Sequence, residues 1–182
     1  MFDSSYEFNY IGSETTPFAP FEKKHRLSFR SHTKDRYIVE VEEYNHDLYA
    51  IKYYLKAHEL SPDKFKLLTG LNQPTPVIRT CVNIMLHFIE RRNPWASFIF
   101  IGAQLQTEDS KENTKRFRIY KNVMENFFKP VDFDHYYKEE NSIYIILNKL
   151  KIENDANILR HIEKMALEYY EIESKNDEET PS

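Results

Sequence analysis

The residues best suited to chemistry lie in one basic segment, Lys111–Lys129, which holds six lysines or arginines against two glutamates. At its centre Lys115, Arg116, Arg118 and Tyr120 fall at the start of a predicted helix. Basic side chains bind phosphate, and the unpaired amides and dipole at a helix N-terminus favour an anion. We therefore take these four residues as the candidate anion-binding site.

Arg116 and Arg118 project to different sides of the predicted helix. Arg116 falls among apolar residues, whereas Arg118 points outward. An arginine on the apolar side must extend to solvent, form an ion pair or meet an anionic ligand. Two interpretations stay open: Arg116 extends to solvent or forms a structural salt bridge, or it faces a phosphate beyond Gly102. Because unpaired buried charge is rare, the pattern favours the first.

The other groups of residues that could form a functional site give weaker evidence than the basic segment. The seven histidines are scattered, with no pair at i,i+4 and no cysteine partner, so no metal site and no cofactor are expected. Asp132 and Asp134 share one strand face with His135 opposite, a pattern more typical of a solvated edge strand than of a metal site. Cys81 lies in the middle of an apolar helix face, which indicates core packing.

The amino-acid composition limits the classes of function that the chain can have. The chain has 182 residues, of which 41% are hydrophobic, enough for one domain with a real core. We expect a single domain over residues 1–170 and a disordered acidic tail over residues 171–182. The tail holds five acids and one lysine, which accounts for the whole net charge of −4. A neutral body has no general attraction to nucleic acid or anionic lipid, so such binding would need the local basic segment.

Several features predict a cytoplasmic protein. The N-terminus lacks the basic start and apolar stretch of a signal peptide, and no apolar run is long enough to cross a bilayer. The single cysteine excludes an internal disulfide.

The pattern of apolar residues predicts the elements. Period-two alternation in the first third predicts an antiparallel meander of four strands with one solvated face. A short helix capped by Ser61 and ended by Gly70, then a long helix capped by Thr75, follow. The later predicted elements are a central strand over 95–101, a helix over 114–128, a hairpin of 131–137 and 143–148, and a last helix over 155–170. The order ββββ(α)αβαββα predicts an α+β fold, one antiparallel sheet backed by helices.

One stretch resembles a known group of proteins. An apolar strand ending in Gly102, followed by a helix that opens Arg116-Phe117-Arg118-Ile119-Tyr120, is similar to a group of small uncharacterised bacterial proteins. In that group a β-rich half precedes a helix, a strand ending in glycine, and an Arg-x-Arg-x-Tyr helix. The genes often lie near toxin–antitoxin or phage-defence genes. The resemblance covers roughly residues 6–130; this chain lengthens the loop before Arg116 and adds the C-terminal hairpin and helix.

The resemblance implies a bacterial protein and transfers no activity. Three functions stay open, and whether any catalysis occurs stays open with them. The first is a non-catalytic protein-binding accessory, or an antitoxin-like or defence-associated component, of a bacterial mobile or defence locus. The second is a toxin-like protein that binds RNA or nucleotide phosphate through Arg116, Arg118 and Tyr120. The third is a homo-oligomeric structural subunit. The expected partner is another protein.

Overall fold

The computed structural model describes residues 5–67, 74–104, 108–155 and 157–178. These residues form a seven-stranded sheet and four α-helices. The strands are β1 (Phe8–Glu14), β2 (Lys23–Arg30), β3 (Arg36–Tyr44), β4 (Leu48–Leu55), β5 (Ser97–Ile101), β6 (Phe133–Lys138) and β7 (Ile143–Asn148). The helices are α1 (Pro74–Arg91), α2 (Lys115–Phe127), α3 (Lys149–Asn154) and α4 (Ile158–Glu178). The fold is α+β.

The sheet has the order β1-β2-β3-β4-β5-β7-β6. Its first four strands are the predicted antiparallel meander, and the β6–β7 hairpin was also predicted. The sheet is mixed rather than wholly antiparallel, because β5 runs parallel to β4. That pairing extends only from Leu48↔Ser97 to Ala50↔Ile99. The two strands separate beyond this point, and an opening is left between them.

Two differences change the predicted order of elements. Residues 61–67 form turns rather than the start of a helix, and Gly70, the predicted end of that helix, lies outside the described residues. The hydroxyl of Ser61 accepts a hydrogen bond from the amide of Asp63, which stabilises a local turn. The unpredicted α3 follows β7 directly because the side chain of Asn148 caps it, accepting from the amide of Leu150 at 3.0 Å.

Helices cover both faces of the sheet. One core forms between α1, α2 and the face of the sheet that carries Val39, Phe98 and Tyr144. A second, smaller core forms between α4 and the opposite face, where Ile99 and Ile145 lie. Because β5 contributes buried side chains to both cores, it is the central strand that its continuous apolar run predicted.

The prediction that one face of the meander is solvated is wrong, because the acidic residues on that face are buried. Glu40 and Glu42 have only 4% and 5% of their surface exposed. Each pairs with a lysine: Glu40 with Lys64 at 3.4 Å, and Glu42 with Lys52 at 3.2 Å. A segment after β4, residues 56–67, covers this part of the sheet and supplies the first of these lysines. Burial of the two carboxylates is possible because these charges are paired.

The last helix ends later than predicted. We expected it to stop at residue 170, and α4 instead continues to Glu178. The division into one domain and an acidic tail stays a prediction. Within the described parts of the chain, no helix is both long and apolar enough to span a membrane.

Candidate functional site

The start of α2 is held directly against the end of β5. Thr114 is the N-cap: its hydroxyl accepts from the amide of Phe117 at 3.2 Å and donates to the carbonyl of Gly102 at 2.8 Å. The amide of Gly102 in turn donates to the carbonyl of Ser142 at 2.9 Å. A β-carbon at residue 102 would lie 2.5 Å from the Thr114 hydroxyl oxygen. Glycine therefore ends this strand because the helix packs on it at contact distance.

The guanidinium of Arg116 is hydrogen-bonded to the backbone of the chain itself. The side chain is half-buried and donates to the backbone carbonyls of Phe65 and Leu67, the second at 3.1 Å. Both acceptors belong to the segment 56–67, at the opening between β4 and β5. The geometry supports the structural interpretation of Arg116, with carbonyl oxygens rather than a carboxylate as acceptors. Carbonyl acceptors satisfy donors without cancelling the charge.

Two tyrosines lie beside Arg116. The hydroxyls of Tyr53 and Tyr120 interact with each other beside its guanidinium. Burial raises the pKa of both phenols, and the nearby positive charge of Arg116 opposes that rise. Both tyrosines are therefore neutral at physiological pH and can donate and accept hydrogen bonds.

The space around this group is small. Arg116, Tyr53 and Tyr120 line a cavity of about 60 Å³ together with Lys52 and Phe65. Pockets that bind drug-sized ligands occupy roughly 300–1,000 Å³. The cavity accommodates a water molecule or a very small ion, and not a nucleotide.

The other two predicted site residues lie elsewhere. Lys115 and Arg118 are exposed, and the Arg118 guanidinium donates to the carbonyl of Asn113. The first amide of the helix, that of Lys115, donates to the carboxylate of Glu108 at 2.6 Å. The structure thus brings Arg116 and Tyr120 together and leaves Lys115 and Arg118 outside the cavity. Two amides of the helix start, those of Lys115 and Phe117, already donate to Glu108 and Thr114.

A partly buried polar network beneath the segment 56–67 was missed by sequence reasoning. Arg26 donates to Glu59 at 2.5 Å and to the hydroxyl of Tyr54 at 3.1 Å, and the same hydroxyl donates to Glu40 at 3.1 Å. Hydrogen bonds from Lys56 and then Arg26 lower the pKa of Glu59 to about 2. The network fastens the segment to the sheet, and so it positions the carbonyls that receive Arg116. Alternation along β3 placed Glu40 on this face and could not show what covers it.

Three large apolar side chains remain exposed at one end of the sheet, which we call the apolar end. They are Trp95, Val131 and Leu150, with 45%, 77% and 48% of their surface exposed. Hydrogen bonds join the three segments that carry them. The side-chain amide of Asn148 donates to the carbonyl of Pro94 at 2.9 Å, and the amide of Lys149 donates to the carbonyl of Asp132 at 3.0 Å.

Charges border the apolar end. The ammonium of Lys151 lies 5.7 Å from the centre of the Trp95 ring and pairs with Asp47. Lys149 lies 3.4 Å from Asp134. Exposed apolar side chains grouped at one end of a sheet and bordered by charges are typical of a surface that binds another macromolecule.

Comparison of the chain with protein-family models, curated proteins and solved structures gives no match.

Proposed function

We propose that this chain is a non-catalytic binding protein that acts through contact with another protein, as an accessory, antitoxin-like or defence-associated component of a bacterial locus. The observation that carries the proposal is the apolar end, where Trp95 and Val131 stay exposed on a backbone fixed by hydrogen bonds. Tryptophan is among the residues that most often dominate binding energy at protein interfaces. The genomic setting rests on the resemblance of the strand-glycine-helix stretch.

The hydrogen bonds that the basic residues make within the chain support a protein partner over a phosphate ligand. Arg116 and Arg118 both donate to backbone carbonyls of the chain itself, and the Lys115 amide is bound by Glu108. A phosphate bound there would have to displace these contacts. At the apolar end a partner displaces only water from apolar surface, which favours association.

A tagged chain expressed from its own locus tests the proposal. We expect a partner protein to co-purify with the wild type, and the double variant Trp95→Ser/Val131→Ser to reduce its recovery at least about tenfold. The matched control is Phe18→Ser/Leu60→Ser, which removes apolar side chains that are 106% and 98% exposed elsewhere. That control should retain the partner. Equal loss in both double variants would contradict the apolar end as the binding surface.

The same preparation separates the two alternatives. A toxin-like protein would arrest growth when it is overproduced, and Arg116→Ala would relieve the arrest. A homo-oligomeric subunit would sediment as a multimer of this chain with no second protein. The proposed function predicts neither result.

A further inference from the structure

Three potential metal ligands meet between the turn that joins β3 to β4 and the start of α4. The donor atoms of His46, Asp155 and His161 all lie within 4.8 Å of one another. The rings of His46 and His161 are stacked, with 5.0 Å between their centroids and 19° between their planes. The Nδ1 atom of His161 is 3.9 Å from the Oδ2 atom of Asp155.

Each ligand has a fixed place in the fold. His46 lies in the short turn that joins β3 to β4, Asp155 lies between α3 and α4, and His161 lies at the start of α4. The Oδ1 atom of Asp155 accepts from the amide of Asn157 at 2.9 Å. This bond orients the carboxylate, and its second oxygen, Oδ2, is the one nearest His161.

We propose that His46, Asp155 and His161 bind one divalent first-row transition-metal ion, with Zn²⁺ as the reference case. Two imidazoles and one carboxylate are a common ligand set for such ions. Zn–N bonds of about 2.0–2.1 Å place ligand atoms roughly 3.3 Å apart. Both histidines are exposed, so small side-chain rotations close the remaining gap without moving the backbone.

Among the residues that the structure describes, the cluster of possible ligands consists of these three side chains. The next residue in the turn, Asp47, accepts from the side-chain amide of Asn93 at 2.8 Å through one oxygen and pairs with Lys151 through the other. Solvent or a small anion therefore completes the coordination. The cleft beside His161 is lined by Asn157, Arg160 and Lys164. The ammonium of Lys164 lies 3.8 Å from the carboxylate of Glu168.

The expected consequence is structural. A metal at this position would cross-link the β3–β4 turn to the junction of α3 and α4, because His46 and His161 are far apart in sequence. A ligand that binds only the folded state stabilises it. The inference is independent of the proposed function, since the apolar end contains none of the three ligands.

Metal-free full-length protein, treated with EDTA and dialysed, provides the test. Titration with ZnCl₂ in a calorimeter should show one ion per chain, and Zn²⁺ should raise the melting temperature. Co²⁺ should give the visible absorption of a coordinated ion. His46→Ala and His161→Ala should each weaken Zn²⁺ binding by about 100-fold. Asp155→Asn should weaken it too, while its side-chain oxygen keeps the bond to Asn157.

The control is His32→Ala, which removes another exposed histidine that contacts an aromatic ring, Tyr6, at 5.1 Å. It should bind Zn²⁺ as the wild type does. Circular dichroism of the metal-free variants should match the wild type, since both cluster histidines are exposed. The inference is overturned if the wild type binds no Zn²⁺, or if His46→Ala/His161→Ala binds it with unchanged affinity.

Discussion

Gly102 and Phe117 approach so closely that a β-carbon on residue 102 would lie 2.7 Å from both the β-carbon and the amide nitrogen of Phe117. The helix α2 therefore docks on β5 without an intervening side chain. Gly102→Ala should push α2 away from the strand, strain the Thr114 cap and destabilise the protein by about 1–3 kcal/mol, as overpacking does. Urea unfolding measures this cost. An alanine variant as stable as the wild type would contradict this packing.

The two arginines of the candidate site should respond differently to substitution. Arg116→Ala removes two charged hydrogen bonds to the segment 56–67, and we expect a loss of about 1.5–3 kcal/mol. Arg118→Ala should stay within about 0.5 kcal/mol of the wild type, because its side chain is exposed. Thermal unfolding of both variants checks the contrast. Equal melting temperatures for the two variants would show that Arg116 does not hold the segment.

Phe100 tests the central position of β5. Its side chain is 4% exposed, and its ring lies 5.5 Å from that of Tyr120 on α2. Phe100→Ala should destabilise the protein by about 3–5 kcal/mol, through lost burial and the cavity that remains. Leu60→Ala, at a residue that is 98% exposed, is the control and should be nearly neutral. A cost for Phe100→Ala below about 1 kcal/mol is the range of surface residues and would place β5 at an edge.

His25 makes stability depend on pH. Burial lowers its pKa, and the hydrogen bond to Glu43 only partly opposes this effect. The unfolded chain then takes up a proton at about pH 6.5, before the folded chain does. Stability is therefore full above about pH 6.5 and declines as the pH falls toward the lower pKa of the folded state.

Urea unfolding at a series of pH values across that range measures the slope of the free energy of unfolding against pH. His25→Gln should flatten it, whereas His32→Gln, at an exposed histidine, should leave it unchanged. A wild-type stability that rises as the pH falls through this range would have the wrong sign for a buried neutral His25.

The sequence predicts the elements better than the contacts between them. Alternation places β3 and β4 correctly, and the helix predicted over 114–128 forms as α2, with Thr114 as its N-cap. Residues 61–67 form turns instead of the helix predicted from Ser61, and Lys64 among them pairs with Glu40 on a distant strand, a tertiary contact of the kind that overrides local propensity. The burial of Glu40 depends on Lys64, a partner from another part of the chain.

In the candidate site too, the sequence predicts local geometry but not the contacts between distant parts of the chain. A helical wheel separates Arg116 from Arg118 correctly, because both belong to one helix. It cannot identify the acceptors of Arg116, since Phe65 and Leu67 are brought to it only by the fold. Likewise no spacing rule joins His46 to His161, and the grouping of Trp95 with Val131 depends on hydrogen bonds around the β6–β7 hairpin.

Hydrogen–deuterium exchange on the complex purified from the native host shows directly whether the apolar end binds the partner. Exchange is compared between the free chain and the complex, segment by segment. We expect slower exchange in the complex at residues 94–96, 130–132 and 149–151, the three segments of the apolar end. We expect no change across the basic segment, residues 111–129. Protection confined to the basic segment, or a chain that purifies from its host as a free monomer, would show that the apolar end is not the binding surface.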